Sequence, residues 1–91
     1  MLKIENIAEA LRNCVDASAK VTIIDESFKH SDHYEMQNVY GISHILVEII
    51  WNGFVGLTLL QRHRIVNEWM SIFFEQGLHS ARYKLNTLEE C

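Results

Sequence analysis

At 91 residues, 48% hydrophobic and 22% charged, the chain is sized for a single globular domain over residues 1–91. Its net charge of −4 speaks against strong nucleic-acid binding, although residues 57–86 place Arg62, Arg64, Arg82 and Lys84 against only Glu68 and Glu75. Cys14 and Cys91 are too few for a disulfide framework, and no transmembrane-length apolar run or targeting segment is visible, so a cytoplasmic, reducing setting is expected.

Residues 2–15 carry Ile4, Ile7, Ala8, Leu11, Cys14 and Val15 at steps of three and four, which predicts an amphipathic helix with Cys14 on its buried stripe. Lys20–Asp25 (KVTIID) is short and β-branched, hence a strand. Residues 26–43 are polar and rich in rings, a long loop of the kind that is commonly functional. Residues 45–51 read as a second strand, which makes His44 a surface or edge residue at its opening. Asn52-Gly53 has the composition of a hairpin turn, but the helical period that follows rules that out. Thr58 is placed to cap a helix running to about Glu75, with Leu59, Val66, Met70 and Phe73 on one stripe and His63 among them. Gly77 ends that helix, and residues 79–85 alternate as a strand covered on one side. The expected fold is α+β: a two-layer sandwich in the order αββ(α)αβ, with helices on one face of a three-stranded mixed sheet. The last helix crosses over between two parallel strands.

Five histidines stand out: His30, His33, His44, His63 and His79. None pair as HxxxH, and there is no HExxH, CxxC or glycine-rich phosphate loop. No serine or cysteine has a nucleophile's surroundings, so the chain is not expected to be an enzyme. His79 opens the last strand, where a neutral imidazole could bind iron, zinc or copper if a partner completed the site.

Residues 53–70 (GFVGLTLLQRHRIVNEWM) and 77–90 (GLHSARYKLNTLEE) together resemble the BolA family, as do DESFKHSDH and SHILVEI upstream. The resemblance runs from about residue 4 to the end, and the RHRxVN element is its most specific part. It implies a fold like the type II K-homology domain. It also implies a heterodimer with a monothiol glutaredoxin that shares a 2Fe–2S cluster, glutaredoxin and glutathione supplying thiolates. The ligands on this side would be His79 and a loop histidine, with His30 matching by position and His33 a near rival. Some bacterial members are described as transcriptional regulators, which would make Arg62, His63 and Arg64 a DNA-contacting trio. The chain departs from the family pattern at Trp51-Asn52, where small residues are commoner. At Leu88-Glu89-Glu90 it lacks the Pro that members usually carry within this motif and the Trp that usually follows it.

At 100° per residue, Arg62 and Arg64 lie about 200° apart on a helix, so the two do not readily face one partner. His63 on the apolar stripe is expected to be a packed, hydrogen-bonded residue. Arg62 and Arg64 are expected to be solvated or to anchor carboxylates of glutaredoxin or glutathione. Tyr34, like Tyr40, is a candidate partner contact in the loop.

Overall fold

The computed structural model describes residues 2–27 and 42–91. The first helix, α1 (Ile4–Arg12), buries Ile7, Ala8 and Leu11, as the spacing predicts. It stops earlier than expected, with Asn13 as its C-cap. Past that cap the helical phase no longer applies, and Cys14 is exposed rather than on the buried stripe.

Strand β1 (Lys20–Asp25) pairs antiparallel with β2 (His44–Ile50), and β2 pairs parallel with β3 (Ser80–Asn86), so β2 is central. Cross-strand partners Val21↔Ile49, Ile23↔Val47, Ile45↔Ala81, Val47↔Tyr83 and Ile49↔Leu85 share one face. That face forms the core with Ile7, Leu11, Phe54, Val66, Met70, Phe73 and Leu78. The helices therefore cover one side of a mixed three-stranded sheet, and the parallel β2–β3 pair requires the helical crossover between them. On the opposite face Lys84 meets Glu48 at 3.4 Å.

After β2, Asn52–Phe54 forms a single 3₁₀ turn, not a hairpin. Trp51 closes over it: the indole packs edge-on to Phe54 and beside Trp69, and its Nε1 donates to Asp16 at 3.1 Å. A Cβ added at Gly53 would lie 2.3 Å from the indole. Gly53→Ala must therefore push Trp51 off both neighbours, and is expected to cost roughly 1–3 kcal/mol. A lowered urea midpoint with a red-shifted tryptophan emission would show this; an unchanged midpoint would disprove the clash.

Thr58 caps α2 (Leu59–Trp69) reciprocally with Gln61, at 3.1 and 2.9 Å. The predicted single helix to about Glu75 is broken at Met70, where ψ relaxes to −3°, and resumes as α3 (Ser71–Glu75). Met70 and Phe73 flank the break and are both in the core. Leu59, expected on the buried stripe, is 62% exposed; the inward position of that turn belongs to Arg62, which is 5% exposed. A last 3₁₀ turn, Leu88–Glu90, closes the chain onto α2 through Glu90.

Candidate functional site

The end of the sheet where β2 and β3 begin is built by local signals. Gly77, at φ 117°, follows α3. The Gly77 N–H donates to the Phe74 carbonyl at 3.2 Å and the Leu78 N–H to the Phe73 carbonyl at 3.0 Å. This paired closure needs the left-handed conformation that glycine accepts, and it buries Leu78. With Leu78 anchored, His79 is delivered exposed at the mouth of β3. Its N–H, like that of Ser80, donates to the Ser43 carbonyl, at 2.9 and 3.1 Å.

The neighbouring strand brings a second imidazole. His44 is half-buried at the start of the central strand, not at an edge. Its ring stands perpendicular to that of His79, with centroids 5.8 Å apart. His44 Nδ1 lies 2.9 Å from the Ser43 hydroxyl. Ser27 ties this corner together: its hydroxyl accepts the Ser43 and His44 N–H groups at 2.8 and 3.1 Å. Glu26, buried beside it, donates its N–H to the His44 carbonyl and holds Arg82 through two bonds of 3.0 and 2.7 Å. The segment carrying His30, His33, Tyr34 and Tyr40 departs from and returns to this same corner, but those four residues lie outside the described residues.

The RHR trio divides three ways. Arg62 turns inward. Its Nε donates to the Leu57 carbonyl at 3.0 Å and its Nη1 to the Leu85 carbonyl at 3.1 Å, and both Nη atoms reach the Glu90 carboxylate at 2.6 and 3.1 Å. Four of the five guanidinium N–H donors are thus satisfied within the domain, and the guanidinium carbon lies 5.7 Å from the centre of the Phe54 ring. The expectation that Arg62 is solvated or grips an outside carboxylate or DNA gives way to this interior role. His63 is half-buried, with Nδ1 2.9 Å from the Leu59 carbonyl and its ring edge-on to Tyr83. That matches the packed, hydrogen-bonded reading. Tyr83 donates its hydroxyl to Asn67 at 2.8 Å, and burial pushes its phenol up to about 12. Arg64 is exposed and makes no ion pair among the described residues.

Hydrogen bonds from Arg62, then from the Thr87 N–H, hold the Glu90 carboxyl down at about 2 against an ordinary 4.5. A depressed carboxylate contributes stability that is complete above its unfolded value and is lost as pH falls from about 4.5 toward 2. Glu90→Gln is therefore expected to lower the urea midpoint at pH 7 and to match the parent near pH 2. A difference that stayed constant across pH would refute this role.

Among the described residues no group of three or more His, Cys, Asp or Glu side chains could hold a metal ion. The His44–His79 contact was not anticipated from the sequence. The only local signal is a histidine at the opening of each of two strands; their adjacency depends on the parallel β2–β3 register. No helix among the described residues is long and apolar enough to cross a membrane.

The sequence pattern of the BolA-like protein family matches residues 11–90. The chain belongs to the BolA-like family. Among its relatives, the UV-induced protein uvi31 of Schizosaccharomyces pombe is 32% identical over 80 residues, covering 86% of this chain and 74% of that protein. Chloroplastic BOLA1 of Arabidopsis thaliana is 31% identical over 91 residues, covering 96% of this chain but only 57% of its own length. The fold matches the solved structure of BolA1 from Arabidopsis thaliana with a TM-score of 0.85 at 26% identity, covering 100% of this chain and 97% of that one. The BolA domain of SufE1 from the same plant matches with a TM-score of 0.80 at 25% identity over 100% of both chains. The family resemblance and the α+β fold read from the sequence are both borne out.

Proposed function

We propose that this BolA-like protein is a non-enzymatic partner of a monothiol glutaredoxin, with which it co-ligates a 2Fe–2S cluster for iron–sulfur trafficking or iron and redox sensing. The observation that carries the reading is His79: an exposed imidazole at the mouth of β3, beside the corner from which the His30- and His33-bearing segment departs. The donor set suits a shared cluster rather than a private one. A 2Fe–2S cluster needs four ligands, and the described residues offer neither such a group nor a cysteine near this corner. Thiolates must then come from the partner and its glutathione, while this chain supplies neutral nitrogen from His79 and from His30 or His33. When bound, such a cluster carries less negative charge than an all-thiolate one and has a higher potential. His79 ligates only as neutral imidazole, which makes its hold sensitive to acid.

The alternative, a DNA-binding regulator acting through α2, has lost Arg62 to the interior and keeps only Arg64 of the two arginines as an exposed cation. Co-expression with a monothiol glutaredoxin and anaerobic purification with glutathione tests the first reading. A 1:1 complex is expected, with visible absorption and circular dichroism unlike those of the glutaredoxin homodimer. Failure to form it, alongside salt-dependent DNA affinity that falls on replacing Arg64, would move the function to the second.

A further inference from the structure

We propose that this chain self-associates through the open edge of β1, two copies pairing antiparallel about Thr22 into one continuous sheet. The proposal does not depend on glutaredoxin or on a cluster. Its ground is the direction of the backbone groups of β1. The Glu26 N–H donates to the His44 carbonyl at 2.8 Å, which fixes the phase of the β1–β2 ladder. In that phase Lys20, Thr22 and Ile24 turn their N–H and C=O groups to β2, and Val21, Ile23 and Asp25 turn theirs outward. β1 lies at one edge of the sheet, and those outward groups make no hydrogen bond among the described residues. The β1–β2 register runs unbroken from Lys20 to Asp25, so no bulge blunts this edge, and the chain contains no proline to do so.

The opposite edge is guarded. On β3 the Leu85 carbonyl takes the Arg62 guanidinium at 3.1 Å, and the exposed Arg82 and Lys84 add positive charge along the strand. A β1–β3 contact, which would propagate without closing, is thus disfavoured, whereas β1 against β1 closes about a two-fold axis. An axis normal to the sheet sets residues of the same face opposite one another. Centred on Thr22, it pairs Val21 with Ile23 of the second copy. Both side chains pack against the core, so the apolar side of the sheet runs on across the junction. Thr22 meets Thr22 on the uncovered face. Lys20 comes one residue from Asp25 of the second copy, so opposite charges meet at each end, whereas a parallel pairing would set like against like. Centring on Ile23 instead would set Asp25 against Val21 on the apolar side. The partner that this edge fits is therefore a second copy of the chain.

The test uses the full chain, free of glutaredoxin, in sedimentation equilibrium. A monomer–dimer equilibrium is expected. Thr22→Lys stands opposite Glu48 within its own sheet, so a single copy accommodates it, but it sets two ammonium groups face to face at the junction. It should weaken association by about tenfold or more, and an equimolar mixture of Thr22→Lys and Thr22→Glu should restore it. Cross-linking reads the register independently of charge. In a Cys14→Ser/Cys91→Ser background, Thr22→Cys creates a non-hydrogen-bonded pair with Cα atoms roughly 4.5 Å apart, which should oxidise to a disulfide dimer. Ile24→Cys, on the same face, should stay monomeric, because the two copies of that residue stand roughly 14 Å apart along the strands. An unaltered chain that remains monomeric at millimolar concentration, association unmoved by Thr22→Lys, or cross-linking of Ile24→Cys as ready as that of Thr22→Cys would overturn the proposal.

Discussion

His79→Ala is expected to abolish the visible spectrum of the shared cluster while leaving the thermal unfolding of the chain essentially unchanged. The side chain is exposed, and it meets the ring edge of His44. Loss of such a surface group ordinarily moves stability by about 0.5 kcal/mol or less. Loss of a ligand, by contrast, leaves an iron coordination position that no cysteine of this corner can fill. The measurement is paired: anaerobic absorption and circular dichroism of the glutaredoxin complex, and calorimetric Tm of the isolated variant. Single His30→Ala and His33→Ala variants in the same assay identify the second ligand, since only one of them should reproduce the loss. A His79→Ala complex with an unaltered spectrum would remove His79 from the ligand set.

Arg62→Ala should give the opposite signature, a fall in Tm of about 10 °C with no specific effect on cluster or nucleic acid. Removing the guanidinium strands the Leu57 and Leu85 carbonyls, leaves Glu90 without its cation and opens space beneath the Phe54 ring. Arg62→Lys should recover only part of the loss, because an ammonium cannot serve two carbonyls and a carboxylate through one planar fork. Calorimetry at neutral pH measures the fall, and the cluster assay run well below Tm separates folding from function. If Arg62 instead contacted DNA, its replacement would lower affinity at temperatures where the variant is folded and reduce the salt slope by about one. An unchanged Tm would contradict the interior role.

Much of the frame is legible locally. The β-branched KVTIID, the alternation after His79 and the Thr58–Gln61 cap each sit where the sequence places them, because strand pattern and capping depend on residues within a turn or two. The errors lie where a local pattern meets a distant constraint. Cys14 continues a helical spacing that Asn13 has already ended. Leu59 has the hydrophobicity of a core residue, yet the long reach and multiple donors of Arg62 allow that residue to take the inward position, since carbonyls and a carboxylate wait there to receive its charge. The helix also breaks at Met70, which hydrophobic spacing does not record, because the i, i+3 pair Met70 and Phe73 shares the core face whether or not the helix is continuous.

By itself, then, the sequence determined the order of elements, the α+β class, the family and the candidacy of His79, all of which rest on periodicity, caps and a short motif. Only the tertiary structure decided which arginine of the trio is available to a partner and which histidine stands beside His79. Both depend on contacts between residues far apart in the chain. Arg62 is buried by Leu85 and Glu90, and His44 meets His79 because β2 and β3 run parallel in one register. Spacing along the chain carries no record of such register, which is set when the apolar face of the sheet closes on α1 and α2.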